Sequence, residues 1–292
     1  MQIKSFLLGA VCAAAFAATP AMAQDAEEGA SSPITVSGGV TLTSDYRFRG
    51  VSQTSGDPAV QGTINVAHES GLYAGVWAST LNSDPVDTFA NDTNLNPVAG
   101  YGNVEIDLYG GFAKSFDNGL GIDVGLLYYF YADADEGADT DFFEPYAKLN
   151  YAIGPVSTTL GAAYAWGGQD GLDFTTDNDD NIYAFFDASI GIPSTPVTLK
   201  GHVGYTDGSL GYQTPSAYLD GNFGPGLDVD DTINSYWDWA ITAEAKGGPF
   251  TVGVSYVDTD ISETQFGGVI DDGFANETFR GSTVLAYIGA SF

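Results

Sequence analysis

From Ile34 the chain alternates. Ile34, Val36, Val40, Leu42, Tyr46 and Phe48 are apolar, and Thr35, Ser37, Thr41, Thr43, Asp45, Arg47 and Arg49 between them are polar. Successive side chains of a strand point to opposite faces, so a period of two held this long predicts a strand with one apolar and one polar face. The pattern returns in Val104, Ile106 and Leu108 against Glu105 and Asp107, in Ile122, Val124 and Leu126 against Asp123, and in Leu149 and Tyr151 against Lys148 and Asn150. Later, Ile182, Phe186 and Ile190 oppose Asp187, and Trp237, Trp239 and Ile241 oppose Asp238 and Glu244. Twelve strands are predicted, over 34–49, 59–68, 71–81, 102–114, 120–132, 142–153, 156–167, 181–192, 197–207, 233–246, 250–259 and 278–292.

The connections have a rhythm of their own. Glu69-Ser70-Gly71, Asp117-Asn118-Gly119, Gly154-Pro155, Pro193 to Pro196 and Gly247-Gly248-Pro249 are short and carry turn-forming residues. Between them lie the longer segments 50–58, 82–101, 133–141, 168–180, 207–232 and 260–277, which hold most of the acids outside the strands and no Lys or Arg. An even number of strands of transmembrane length, joined alternately by short turns and long loops, predicts an all-β, antiparallel up-and-down transmembrane barrel. Its short turns face the periplasm, and its long acidic loops face the exterior. A soluble sandwich would place its charges outside and keep carboxylates off the buried face.

The N-terminus sets the compartment. Lys4, the apolar run from Phe6 to Ala18 and the small-residue site Ala21-Met22-Ala23 predict a signal peptide over 1–23, cleaved on export. An N-terminal periplasmic segment, 24–33, and an outer-membrane barrel, 34–292, would follow. The single cysteine, Cys12, lies in the signal segment, so the mature chain has no disulfide.

With a net charge of −30, nucleic acid is excluded as a partner. The polar parity of the strands places Glu105, Asp107, Asp123, Glu144, Lys148, Asp187, Lys200, His202, Asp238 and Glu244 in the lumen, as candidates for selectivity. Arg47 and Arg49 end the first predicted strand and Arg280 opens the last, so strand closure predicts three neighbouring arginines at the outer mouth. Two readings stay open for them: an anion-steering constriction, or neutralisation of adjacent carboxylates such as Asp45. Tyr46, Phe48, Tyr128, Phe130, Tyr151, Tyr164, Trp166, Tyr205, Trp237, Tyr256 and Phe292 are candidates for aromatic girdles at the membrane boundaries.

The expected function is passive diffusion of small hydrophilic solutes or ions through a narrow, cation-leaning channel. One alternative is a closed barrel with a structural or surface-binding role through its outer loops. Another is a dedicated uptake channel resembling the nucleoside type, with Tyr109, Tyr129, Tyr146 and Tyr183 as a sliding surface. No enzyme is expected, because neither His68 nor His202 belongs to a recognisable nucleophile–base pattern. No cofactor or metal is assigned. Asp133-Ala134-Asp135-Glu136-Gly137 puts its glycine fifth, where an EF-hand loop needs it sixth, and Asp177 to Asn181 is only oxygen-rich. Weak divalent binding that bridges to lipopolysaccharide phosphates is the most such segments suggest.

Val284, Ala286, Ile288, Ala290 and Phe292 alternate to a terminal phenylalanine, which resembles the signal read by the barrel-assembly machinery. The run Thr43-Ser44-Asp45-Tyr46-Arg47-Phe48-Arg49-Gly50-Val51-Ser52-Gln53-Thr54, then Pro58 to Gly62 and Gly71 to Ser79, is similar to the proteobacterial TorF family of porin-like proteins. Val104 to Gly111 and Tyr256 to Asp260 add later matches. The resemblance spans most of the mature chain and is strongest over 43–79. It implies an outer-membrane barrel and a pore, and lends no binding residues.

Overall fold

The computed structural model describes residues 32–84, 96, 98–136, 138, 140–172, 180–211, 235–261 and 280–292. The predicted signal segment and the acidic stretches 85–95, 173–179, 212–234 and 262–279 lie outside the described residues. The strands are β1 (Ile34–Thr43), β2 (Arg47–Phe48), β3 (Val51–Ser52), β4 (Ala59–His68), β5 (Leu72–Thr80), β6 (Val104–Ser115), β7 (Leu120–Tyr131), β8 (Phe142–Ile153), β9 (Val156–Ala165), β10 (Asn181–Gly191), β11 (Val197–Gly208), β12 (Ser235–Gly247), β13 (Phe250–Thr259) and β14 (Thr283–Ser291). Twelve of them close an antiparallel barrel in sequence order, and β2 and β3 form a separate two-stranded hairpin. At the seam β1 pairs β14 from Gly39 opposite Ser291 to Thr43 opposite Tyr287, and pairs β4 along its whole length.

The apolar parity faces outward on every wall strand: Val40, Leu42, Ile64, Leu108, Val124, Leu160, Val254 and Val284 are all exposed, and Ile241 is 67% exposed. Such a continuous apolar wall is stable against lipid and unstable against water. Two aromatic rims bound it. At one end the rings of Tyr128 and Phe143 stack at 4.4 Å, and Tyr205 and Trp237 lie 4.9 Å apart. There the hydroxyls of Tyr128, Tyr164 and Tyr256 donate to Asp141, Asp180 and Asp258 at 2.6–2.7 Å, so each ring meets lipid while its tip meets a carboxylate. Tyr151, Phe250 and Phe292 are exposed at the other end.

Inside, aromatic rings lie flat against glycines across the strand pairs. Gly75 faces Tyr109, Gly111 faces Tyr73, Gly125 faces Tyr146, Gly161 faces Phe185 and Gly253 faces Tyr287 in the register. A Cβ built at Gly75 would come within 2.6 Å of the Tyr109 ring, so the bare backbone makes room for it. This pairing covers weak glycine positions and presses the rings to the wall.

The first predicted strand is corrected. It ends at Thr43 rather than running to residue 49, and the chain then turns into the barrel as the β2–β3 hairpin. Arg49 and Gly50, both at positive φ (48° and 84°), form its two-residue tip, the twist that a tight hairpin needs. Tyr46 and Phe48 therefore do not join the girdle. Tyr46 is buried, its ring 5.3 Å from that of Trp77, and the Phe48 ring meets Tyr129 edge-on at 5.9 Å. The segment 50–58, expected to face the exterior, belongs in part to this inward fold.

Candidate functional site

The hairpin is held together by one carboxylate. Asp45 accepts from Ser52 Oγ at 2.6 Å, Thr54 Oγ1 at 3.0 Å and Arg47 Nε at 2.6 Å. Arg47 also donates through Nη1 to the carbonyls of Gly50 at 3.0 Å and Gly281 at 3.2 Å, so it binds both the hairpin and the segment before β14. The hydroxyl of Thr54 accepts the Tyr46 N–H at 3.1 Å, and the Gln53 N–H donates to the Tyr46 carbonyl at 2.7 Å. Short polar side chains thus satisfy the backbone of a segment that has left the sheet.

At the tip, Arg49 crosses the lumen. Its Nη2 donates to Glu144 Oε1 of β8 at 2.6 Å, and the two side chains are 1% and 0% exposed. Its guanidinium lies 4.2 Å from the centroid of Tyr183 of β10 and 4.7 Å from that of Phe48. Tyr129 donates to the other Glu144 oxygen at 3.1 Å, while Arg49 Nη1 is buried with no hydrogen-bond partner. Ring faces attract the cation, but a buried donor left unmatched keeps this contact from being as strong as a fully satisfied pair.

The wall around the hairpin is a lattice of tyrosines and acids. Tyr46 donates to Glu105 at 3.3 Å, Tyr73 to Asp123, and Tyr287 to Glu244 at 2.6 Å. The Tyr73 hydroxyl also bonds Tyr146, and the Tyr109 hydroxyl donates to Asn65. Lys148 sits 3.8 Å from Asp123, and Lys200 2.8 Å from Glu244. His202 is clasped between Asp187 and Asp238, its Nδ1 2.6 Å from one and its Nε2 2.9 Å from the other, with the Tyr183 hydroxyl 2.9 Å from Nε2.

Burial divides the interior by depth. Toward the outer end, Thr43, Ala59, Glu105, Tyr129, Glu144, Asn181, Tyr183, Thr206 and Asp238 are buried, and Glu105, Tyr129, Glu144 and Tyr183 meet the hairpin directly. Toward the periplasmic end, the inward positions Thr35, Ser115 and Ser157 are exposed, and Ser37, Asn65, Asn150, Ser189, Thr198 and Thr251 are half-buried. The Asp187 side chain is 43% exposed and His202 21%, so water reaches this cluster from the vestibule side. The inward positions at the periplasmic mouth thus form a water-reached vestibule, and the lumen above it is filled by the hairpin and by buried side chains such as Tyr73, Asp123, Lys148 and Glu244.

All the acids and lysines expected in the lumen face inward: Glu105, Asp107, Asp123, Glu144, Lys148, Asp187, Lys200, Asp238 and Glu244. The three arginines stay at the outer end, where Arg47 donates to the carbonyls of Gly50 and Gly281 beside the other two. Arg47 and Arg280 flank the seam, and Arg49 reaches across to β8, because the hairpin carries it off the wall. Burial pushes the Arg280 guanidinium down to about 10, with Tyr236 opposing the shift. The acidic turn after β7 has a local role: Asp133 accepts the N–H groups of Asn103 and Val104 at 3.1 Å. The second oxygen-rich run lies outside the described residues at 177–179. The pairing of His202 with Asp187 and Asp238 has no signal in the sequence, since only the register of β10, β11 and β12 brings them together.

A family model for bacterial proteins of unknown function, Gcw_chp, matches residues 27–234. No curated protein matches the chain. Among solved structures, a NanC porin in a rhombohedral crystal form has a TM-score of 0.50 at 14% identity, with 88% of this chain and 99% of that one covered. A KdgM porin has a TM-score of 0.50 at 7% identity, again with 88% and 99% covered. Identities this low speak for the fold alone, and that fold is the closed barrel described above. The chain belongs to the Gcw_chp family of bacterial proteins of unknown function, and it has a porin-type barrel.

Proposed function

We propose that the chain is an outer-membrane channel for passive diffusion of small hydrophilic solutes or ions, exported by a signal peptide over 1–23. The observation that carries this reading is a closed barrel with an apolar outside and an ionisable inside that water enters from one end. Lipid outside and water inside satisfy both faces at once. The fold shared with NanC and KdgM porins supports it, as does the resemblance of residues 43–79 to the TorF family. Selectivity rests on Glu105, Asp107, Asp123, Lys148, Asp187, Lys200, Asp238 and Glu244, with Arg47, Arg49 and Arg280 toward the outer end. Six carboxylates face five cations in that set, and the long outer segments add many acids and no Lys or Arg, which supports a cation lean. Phe292 would serve recognition by the barrel-assembly machinery, and lipopolysaccharide would surround the outer rim. The test is swelling of liposomes that hold the refolded mature chain in iso-osmotic solutes of graded size. Swelling that falls off with solute size is expected, and none with even the smallest solute would sink the reading.

A second reading has its own observation. The filled outer half favours a closed barrel with a structural or surface-binding role, and in that case the same liposomes would stay inert to every solute.

A further inference from the structure

The hairpin has two unequal sets of contacts. Within itself it is knit by Asp45 to Arg47, Ser52 and Thr54, by Gln53 to Tyr46, and by Arg47 to Gly50, while Arg47 to Gly281 and the Asn82 N–H to the Gln53 carbonyl tie it to the near wall. Against the far wall it makes one ion pair, Arg49 to Glu144, beside ring and hydroxyl contacts: Arg49 over Tyr183, Phe48 against Tyr129, and Tyr46 to Glu105 and Trp77. A unit with its own internal staple keeps its shape when its ion pair to the far wall breaks, and so moves as a body.

Its attachments suit that motion. Ser44 is pinned to Ala286 of β14 by hydrogen bonds of 2.9 Å and 3.0 Å, which fixes one end. Ser55 and Gly56 at the other end sit at φ 53° and 79°, a left-handed pair that absorbs rotation. The tip residue Arg49 also holds φ at 48°, a conformation that a non-glycine residue keeps only where its surroundings impose it. Among the described residues, the hairpin and the rings it meets fill the lumen between the Asp187–His202 cluster, which solvent reaches, and the outer end.

We propose that the β2–β3 hairpin is the gate of this barrel and that the Arg49–Glu144 contact is its latch. The proposal rests on the channel reading. With the latch made, the outer half is filled. With it broken, the hairpin swings about Ser44 and Ser55–Gly56, the guanidinium leaves the face of Tyr183, and the vestibule connects to the outside past Glu105, Glu144 and Asp238.

The mature chain has no cysteine, so a lock can be engineered without background. A Cβ built at Gly50, where φ is 84°, lies 3.0 Å from Asp238 Cβ and collides with the Thr259 methyl. Gly50→Cys and Asp238→Cys are therefore in reach of a disulfide once Thr259→Ser removes that methyl in the same background and the tip accepts the strain of a side chain. Planar-bilayer recordings would compare wild type, Arg49→Ala, Glu144→Gln, Asp238→Cys alone, and the double-cysteine barrel before and after reductant. Heat-modifiable gel mobility confirms that each is folded. The gate predicts that both latch variants open at least several-fold more often than wild type, and that the oxidised pair is silent and regains conductance on reduction. If all conduct alike and reductant changes nothing, the pore stands and the gate is overturned. Silence from every folded variant, reduced pair and latch variants included, overturns the gate and the channel reading together.

Discussion

Glycine opposite an aromatic ring is the recurring residue-scale device of this lumen, and it makes sharp predictions. A side chain at Gly253 would collide with the Tyr287 ring, which is held by its bond to Glu244. Gly253→Val should therefore lower stability by about 1–3 kcal/mol, the usual cost of overpacking, in urea unfolding from lipid vesicles. Gly201 has open space around its Cβ direction. Gly201→Ala should be close to neutral in the same assay, and equal losses at the two sites would contradict the ring-on-glycine account. Much of this scale was legible in the chain. The inward parity of Glu105, Asp107 and Asp123 follows from a local rule that holds whatever the register. The partners did not follow, because Tyr73 meets Asp123, and His202 meets Asp187 and Asp238, only through a strand stagger that alternation does not encode.

At the scale of elements, the hairpin explains why alternation alone extends the first strand past Thr43. Period two continues through Tyr46, Arg47, Phe48 and Arg49 because β2 is itself extended, and an extended segment alternates whether it lies in the wall or inside it. The signal for departure was Arg49-Gly50 between Phe48 and Val51, a two-residue turn flanked by apolar residues, with Asp45, Ser52 and Thr54 placed to staple it. Arg-Gly is a weaker turn cue than Asn-Gly, so the alternation outweighed it. If Asp45 is the staple, Asp45→Ala should speed amide exchange at Gln53 and Tyr46 by at least tenfold and leave β7 and β8 unchanged. The closing strand offers a second test. The Phe292 backbone bonds Gly38 in both directions at 3.0 Å and 3.1 Å, and its ring lies over that glycine. Removal of Phe292 should reduce the heat-modifiable folded fraction several-fold, through lost seam pairing and, under the proposed role, lost recognition during assembly.

For the whole molecule, the governing fact is the inversion of faces: apolar outside, ionisable inside. Ile241 stands near the middle of β12 and is 67% exposed, so it would meet the centre of the bilayer. Ile241→Arg should cost about 2–4 kcal/mol in vesicle unfolding, the penalty for a cation at the midplane of a barrel wall. The same change at a rim residue such as Phe250 should cost far less. Fold class was legible at this scale because twelve alternating segments and an alternation of short and long connections admit few architectures. The filled outer half was not, since it depends on where one hairpin goes. The most direct test of the account is the current through refolded barrels in a planar bilayer under a salt gradient. Discrete, intermittent steps with a reversal potential on the cation-selective side are predicted. An anion-selective reversal would hand selectivity to the arginines, and silence from both wild type and Arg49→Ala, with folding verified, would contradict the channel itself.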